Sequence, residues 1–431
     1  LKPSVAITTL GCKTNRFESA AMEEQLKKAG YPLIPFEDGA DLVIVNSCTV
    51  TSATDAQTRN LIRRARRMNE RARILVTGCY AQVDPSALLE IPGVSLILGN
   101  EEKRDFLARL ESMEDIPRAE VSDIREVTSA EVLSLSSFED RSRAFVQIQN
   151  GCDAFCSYCI IPYARGRSRS VGPDAVIGSI RALEQQGFSE VVLTGIHIGG
   201  FGADLAPRSS LLELVRRIEF ETGVPRIRLG SIEPTELPDG LIEFIAASTR
   251  LCPHFHIPLQ SGCDSVLERM NRHYDRAFFE ERIGRIRKLL PEASIGLDLI
   301  VGFPGETDEE FDRTLEFVRS LPVSYLHVFP YSKRPGTPAA AMKEQIPGDV
   351  AKARAARMRE LGMEKEAAYA RGFLGRPLEL VVEAGEQGGL RRGVSRNYLS
   401  VSFADEEVQP GRIARVVPEV FEEGSLRGRR L

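Results

Sequence analysis

The sequence predicts an α/β protein in three parts: a Rossmann-like amino-terminal domain, a partial (β/α)6 barrel, and a small carboxyl-terminal all-β barrel. Three observations carry that prediction. Strand-then-helix patterns recur through the first hundred or so residues, they return six times between Ala144 and Phe329, and short alternating runs split by Gly and polar turns fill the tail. Alternation of strand and helix marks a parallel sheet with crossover helices, whereas evenly spaced short strands mark a small barrel.

The first strand is expected from Val5 to Cys12, and an amphipathic helix from Glu18 to Ala29, closed by Gly30. A second strand runs from Leu42 to Cys48, a helix from about Ala53 to Glu70, and a third strand from Ile74 to Cys79. Each of these strands ends on a cysteine, and the carboxyl edge of an open α/β sheet is where ligands bind. This domain is assigned residues 1–110. The polar, acid-rich stretch that follows loses sustained apolar periodicity after Leu110, so 111–137 is expected to be a linker.

The second domain, 138–371, opens with a strand at 144–149, followed by strands at 190–194, 226–230, 254–259, 294–301 and 325–329. Helices are expected near 173–187, 209–221, 239–247, 276–290 and 307–320. Six units fall short of the eight that close a full barrel, which points to an open one. An Ala-, Arg- and Glu-rich helix over about 347–371 leads away from it. The last domain, 372–431, carries Pro377–Glu383, Tyr398–Phe403 and Ile413–Val417 as its alternating runs.

Composition narrows the classes further. With 431 residues the chain exceeds one ordinary core, and 42% apolar with 27% charged residues excludes wholesale disorder and fibrous architecture. No stretch approaches the ~20 apolar residues of a membrane span, and the start lacks the features of a signal peptide, so a cytoplasmic protein without a membrane partner is expected. The net charge of −5 argues against a nucleic-acid partner, but its distribution argues for one. Seven arginines lie between Arg59 and Arg73 against one acid, Glu70; three more are Arg165, Arg167 and Arg169, and the tail adds Arg391, Arg392, Arg396, Arg412, Arg415, Arg427, Arg429 and Arg430. Any one run fits a solvated face; three together suggest an RNA footprint.

The eight cysteines carry the chemistry. Cys152-x3-Cys156-x2-Cys159 follows the first barrel strand on the loop face where barrels place their active sites. Three thiolates on one short loop suit a 4Fe–4S cluster with one iron left open. Zinc prefers four closed ligands in paired knuckles, and no second knuckle lies nearby. Cys12, Cys48 and Cys79 are distant in sequence but end neighbouring strands, so they should converge on a second cluster with an open iron able to hold an exogenous sulfur. Cys252 and Cys263 fit no such pattern and are read as structural. A metal-free Rossmann oxidoreductase is disfavoured, because the first strand lacks a Gly-x-Gly-x-x-Gly turn.

With Tyr158 before its last cysteine, the triplet looks like the radical S-adenosylmethionine (SAM) signature. The segments Thr9–Asn15, Asn46–Thr51, Val76–Gln82, Asn150–Ser170, Leu193–Gly199, Ser231–Pro234, His256–Gly262, Ile300–Thr307 and Val328–Thr337 resemble the methylthiotransferase family of radical SAM enzymes. They spread over all but the linker and tail. Within that family, Leu10–Lys13 and Pro162–Ser170 look like the branch acting on N6-threonylcarbamoyladenosine at position 37 of tRNA. Branches acting on N6-isopentenyladenosine or on an Asp of a ribosomal protein remain alternatives, and a non-enzymatic iron–sulfur RNA-binding protein is a distant one. Cys263 in Ser-Gly-Cys-Asp264 and Gly296-Leu-Asp298 depart from the family pattern without touching a cysteine of either triad.

The resemblance implies two 4Fe–4S clusters, a TRAM domain that binds RNA at the carboxyl end, and two SAM molecules. One donates a methyl group to sulfur on the auxiliary cluster, and the other supplies the radical that activates carbon 2 of the adenine. It also implies an electron donor, a sulfur source, and an orientation in which Cys12, Cys48 and Cys79 face the barrel mouth. By the same resemblance Tyr158, Thr194, Gly195, Ser231 and Glu233 contact SAM. Arg165 and Arg167 are candidates for the threonyl carboxylate of the substrate or for phosphate, since a planar guanidinium suits both.

Overall fold

A computed structural model describes residues 2–114, 116–130, 142–387, 389–405, 407–422 and 424–431. The junction expected at 137/138 lies outside the described residues. The chain forms two compact units: Leu1–Ser137 with Gln147–Gly172 and Ser332–Ala340, and Phe138–Val146 with Pro173–Tyr331 and Ala341–Leu431.

The first unit is built on a parallel sheet of β1 (Val5–Thr9), β2 (Leu42–Ser47), β3 (Arg73–Gly78), β4 (Val94–Leu98) and β5 (Arg118–Glu120), in that spatial order. Leu33 bridges the free side of β1 in parallel. The chain therefore steps one way from β1 to Leu33 and the other way from Leu33 to β2, which puts helices on both faces. The helix Lys13–Lys28 buries Met22 and Leu26 with Val5, Ile44 and Leu75, while Ser52–Met68 buries Ile62 and Ala65 with Val43, Ile74 and Val76 on the opposite face. Reversal of strand order beside β1 opens a crevice at the carboxyl ends of β1 and β2.

Two expectations are corrected here. The first helix starts at Lys13 rather than Glu18, with Cys12 as its N-cap. Part of the supposed linker supplies β5 and a turn at Ile124–Glu126 whose Ile124 is buried. Three-residue strands in polar sequence leave little periodicity to read.

Strand β6 (Ala144–Gln147) leads into a short antiparallel clasp, β7 (Gln149–Asn150) with β8 (Arg169–Ser170), which brackets the loop 151–168. In the second unit β9 (Glu190–Thr194) lies between β6 and β10 (Arg226–Leu229), and β12 (Ser294–Val301) between β11 (His254–His256) and β13 (Tyr325–Pro330). Parallel bridges Ile227↔Leu251 and Ser231↔His256 join the two sets into one open six-stranded barrel wall. Helices Pro173–Gln185, Leu211–Glu221, Asp239–Ala247, Arg276–Leu289 and Asp308–Ser320 connect the strands.

After the helix Gly348–Arg371 comes a closed barrel of β14 (Leu378–Gln387), β15 (Leu390–Ser395), β16 (Ser400–Phe403), β17 (Ile413–Glu422) and β18 (Ser425–Arg430), ordered β14-β15-β16-β18-β17. Leu380, Val382, Val401, Phe403, Val416 and Leu426 fill it. It docks on the open barrel through arginines of β10. Arg226 Nη2 donates to Glu379 Oε1 at 2.8 Å, and Arg228 donates to the carbonyls of Ser395 and Arg396 at 3.0 Å each. Both guanidiniums are buried, as is Glu190 of β9, to which Arg228 Nε donates at 2.7 Å. Tyr398 stacks on His254 with centroids 4.2 Å apart and lies under Arg228 at 5.1 Å. Its place in the fold is structural.

Candidate functional site

Cys12, Cys48 and Cys79 follow β1, β2 and β3, three adjacent strands of one sheet, at the crevice the strand order creates. Close backbone approach brings them together. A Cβ on Gly11 would stand 2.6 Å from Cys48 Cβ and 2.7 Å from its Sγ; Gly11 has φ +91°, which glycine tolerates at no steric cost. Gly78, at φ +95°, lets Cys79 start its own short helix, Cys79–Val83, hard against the Ser47 carbonyl. Cys12 is exposed, and Cys48 and Cys79 are buried. Burial, then the neighbouring Cys79 and Cys12, push the Cys48 thiol up to about 12, against the pull of the Val50 amide and Arg165.

A buried polar network backs these cysteines. Arg165 Nε donates to Cys79 Sγ at 3.2 Å, and its terminal nitrogens bind Asn15 Oδ1 and the Glu18 carboxylate. Lys103 Nζ bonds the other side of Glu18, Asn46 Oδ1 at 3.2 Å and Asn100 Oδ1 at 2.9 Å. Burial would raise the Glu18 carboxyl, but the charges on Arg165 and Lys103 outweigh it and hold it at about 2. Burial would likewise lower Arg165; Cys79 and Glu18 outweigh it and raise the guanidinium well above its ordinary value.

This overturns the expectation that Arg165 meets a substrate carboxylate. Its side chain is fully buried and its donors are used inside the protein. Arg167, two residues on, is exposed. Glu18, Asn15, Asn46 and Lys103 were not singled out from sequence. Glu18 and Asn15 lie within one helical turn of each other directly after Cys12, and that spacing was the available signal.

Cys152, Cys156 and Cys159 lie on the loop 151–168 of the same unit. Cys152 Sγ accepts the Ala154 N–H at 3.5 Å, Cys152 N–H donates to the Gly166 carbonyl at 3.0 Å, and Cys159 N–H donates to the Cys156 carbonyl at 2.9 Å. Gly151, at φ +74°, approaches Arg167 so closely that a Cβ would sit 1.8 Å from its carbonyl oxygen. The loop is thus folded by its own backbone, with amide donation to sulfur of the kind that suits a thiolate ligand. Both triads offer thiols alone, without a competing carboxylate or imidazole in the set, and that donor chemistry fits iron–sulfur ligation. Cys252 and Cys263 are buried elsewhere, the latter against Ser265 Oγ at 3.2 Å.

Of the residues expected at SAM, Tyr158 lies between Cys156 and Cys159. Thr194 ends β9 and Gly195 follows it, and Ser231, exposed, follows β10 and is bridged to His256. Glu233 is turned to Arg272, whose Nη1 lies 3.2 Å from Oε1, so its carboxylate serves an internal ion pair. One constellation escaped the sequence reading. His256 Nε2 and His327 Nδ1 approach Asp298 Oδ1 at 2.8 and 3.2 Å. Burial would raise the Asp298 carboxyl, but His256 and His327 hold it well below its ordinary range. The alternate position, Leu326, packs against helix Gly348–Arg371 at Gly362, so Tyr325 and His327 face the other side of the sheet.

Residues 4–99 match the uncharacterized protein family UPF0004 and residues 146–318 the radical SAM superfamily. The chain is 42% identical, over 96% of its length and 93% of the relative's, to the threonylcarbamoyladenosine tRNA methylthiotransferase MtaB of Bacillus subtilis (strain 168). It belongs to the methylthiotransferase family of radical SAM enzymes. Another member, the tRNA-2-methylthio-N(6)-dimethylallyladenosine synthase of Desulfitobacterium hafniense (strain Y51), is 34% identical over 96% of this chain and 94% of its own. Among solved structures, the radical SAM methyltransferase TsrM of Kitasatospora setae superposes with a TM-score of 0.57 at 16% identity, covering 79% of this chain and 77% of that one, which shows a shared fold. Membership in the superfamily brings SAM and a 4Fe–4S cluster as cofactors. No helix among the described residues is long and apolar enough to cross a membrane.

Proposed function

We propose that this protein is a tRNA methylthiotransferase that adds a methylthio group to carbon 2 of N6-threonylcarbamoyladenosine at position 37, using two 4Fe–4S clusters and two molecules of SAM. The observation that carries the reading is the presence of two three-thiol sets, Cys12/Cys48/Cys79 and Cys152/Cys156/Cys159, within one compact unit. Identity of 42% to a threonylcarbamoyladenosine enzyme, against 34% to a dimethylallyladenosine one, favours the first substrate.

Cys152, Cys156 and Cys159 hold the cluster that binds SAM, and Cys12, Cys48 and Cys79 hold the auxiliary one. When bound, the clusters supply the electron that cleaves the sulfonium and the sulfur that is methylated and joined to the adenine, chemistry beyond acid–base side chains. The residues of the chain orient these parts. Tyr158, Thr194, Gly195 and Ser231 are assigned to SAM, with Glu233 acting there only through Arg272. Arg167, exposed on the loop that carries Cys152, Cys156 and Cys159, is assigned to the substrate. An external one-electron donor and a sulfur source complete the reaction.

RNA is held by exposed arginines. Arg63, Arg64, Arg67 and Arg71 lie on or just beyond the helix Ser52–Met68, and Arg392, Arg412, Arg415, Arg427, Arg429 and Arg430 are on the closed barrel. Guanidiniums suit phosphate. The test incubates anaerobically reconstituted protein with SAM, dithionite and tRNA carrying N6-threonylcarbamoyladenosine, followed by mass spectrometry of nucleosides. The 2-methylthio nucleoside and 5′-deoxyadenosine are both expected. Cys12→Ala should lose the first and keep the second, and Cys156→Ala should lose both. 5′-Deoxyadenosine without the nucleoside would refute the substrate; absence of both in iron-loaded protein would refute the enzyme.

A further inference from the structure

Behind Cys79 lies a buried charge imbalance. The bonded network contains two cations, Arg165 and Lys103, and a single carboxylate, Glu18, with side chains 0%, 3% and 5% exposed. Asn15, Asn46 and Asn100 are neutral, and Glu102, next to Lys103 in sequence, turns its carboxylate to Ser122 instead. The network therefore carries one positive charge in excess, away from water. Buried charge without a counter-charge is strongly unfavourable, so something anionic belongs beside it. Arg165 Nε, 3.2 Å from Cys79 Sγ, shows where.

The three thiols at the strand ends answer that need. A 4Fe–4S core in its 2+ state held by three thiolates carries a net charge of −1, which matches the excess. Adding one electron makes the group more negative, and a fixed cation in a low-dielectric interior favours that state. Donation of an N–H to the ligand sulfur acts in the same direction.

We propose that Arg165, Lys103 and Glu18 form the built-in counter-charge of the auxiliary cluster, with Arg165 a positioning residue that acts through Cys79 to make one-electron reduction of that cluster easier. This inference rests on the reading that Cys12, Cys48 and Cys79 hold a cluster. It assigns Arg165 of the loop 151–168 to the service of the other triad, so that one loop supplies three ligands to one cluster and the electrostatic partner of the second. The electron comes from a low-potential donor, enters the cluster, and leaves every bond of the network in place.

The test uses the full chain with Cys152, Cys156 and Cys159 changed to Ala, so that only the auxiliary cluster remains, and follows its midpoint by redox titration with electron paramagnetic resonance. Iron is measured first: about four per chain are expected for one cluster, and iron-free protein would sink the cluster reading itself and the inference with it. In loaded protein, Arg165→Gln should move the midpoint to more negative potential, and Arg165→Lys should restore most of the shift. Glu18→Gln, which adds net positive charge, should move it the opposite way. If Arg165→Gln sheds its iron, the sign of the Glu18→Gln shift still decides. Iron-loaded variants whose midpoints stay put, or move in the same direction, would overturn the inference, because a merely structural network has no reason to produce opposite shifts.

Discussion

Arg334 Nη2 donates to Asp55 Oδ2 at 2.6 Å and to Thr49 Oγ1 at 2.7 Å, in an ion pair whose side chains are 6% and 11% exposed. Thr49 directly follows Cys48. The segment that carries Arg334 also bonds Ser332 to Ser52 at 3.0 Å and, at its other end, Ala339 N–H to the Ser157 carbonyl at 2.8 Å, beside Cys156. Residues 332–340 thus tie the turn after one triad to the loop of the other. Removing one partner of a buried pair costs roughly 3–5 kcal/mol, because the remaining charge is left uncompensated. Arg334→Met should therefore lower stability by about that much, and Arg334→Met with Asp55→Leu should lose less than the sum of the singles. Urea unfolding of the four proteins measures both, and additive losses would show that the pair does not act as a unit.

Gly78 ends β3 directly before Cys79 and has no room for a side chain. A Cβ there would fall 2.3 Å from the Ser47 carbonyl oxygen and 2.7 Å from Asn46 Oδ1, at a φ of +95°. Gly78→Ala must shift backbone at the point where Cys79 meets Cys48. We expect it to lose about half the iron of the reconstituted protein, one cluster of two, while SAM cleavage persists. Gly284, on an exposed face of helix Arg276–Leu289 with nothing within 4 Å, is the control. There the same substitution should stabilise by about 0.4–1 kcal/mol. Iron analysis and 5′-deoxyadenosine assays separate local damage at the auxiliary triad from general unfolding.

The parts legible in sequence were those with local periodicity. Helix Pro173–Gln185 was readable because Val176, Ile177, Ile180 and Leu183 repeat on one buried face. The strand-end cysteines were readable because each closes an apolar run. Strands β15 and β18 were not, since Leu390–Ser395 and Ser425–Arg430 carry arginines on their outer faces and only Val394 and Leu426 as buried aliphatics. The partners of Glu18 were illegible for another reason. Lys103 and Arg165 lie 85 and 147 residues away, and a lone arginine in a basic run reads as solvated until its burial is seen. Pairing across such separations is a product of strand order, and the reversal at Leu33 hung on a single bridge.

Glu190 gives the second unit a pH dependence. It is fully buried; burial would raise its carboxyl, but Arg228, Arg143 and Arg226 outweigh that and lower it from the ordinary 4.5. A carboxyl depressed in the folded state binds protons more readily when unfolded. Its contribution is therefore complete above about 4.5 and is lost as pH falls from there through the depressed value. Glu190→Gln should be less stable than the parent at pH 7, by roughly 3–5 kcal/mol, since the buried Arg228 loses its counter-charge and Arg226 is left with Glu379 alone. The gap should narrow steadily below pH 4.5. Urea midpoints followed by circular dichroism across pH 7 to 3 test the sign, and a gap that widens on acidification would refute the assignment.

If the closed barrel grips tRNA through its exposed arginines, binding should follow counterion release rather than base recognition. Arg412, Arg415 and Arg427 are exposed on or beside β17 and β18, outside the apolar interior that holds the barrel together. Changing each to Gln should leave stability within about 0.5 kcal/mol. For every arginine that contacts phosphate, the slope of log affinity against log salt should fall by about one, and affinity should drop for all tRNA sequences alike. Arg228 is the contrasting case, because its guanidinium is spent on Glu190 and the Ser395 and Arg396 carbonyls. Arg228→Gln should unfold the docking of the two barrels before it alters a salt slope. Fluorescence anisotropy with labelled tRNA at several salt concentrations distinguishes them: an unchanged slope in the triple variant Arg412→Gln/Arg415→Gln/Arg427→Gln would remove this face from the RNA footprint and leave the helix Ser52–Met68 to carry it.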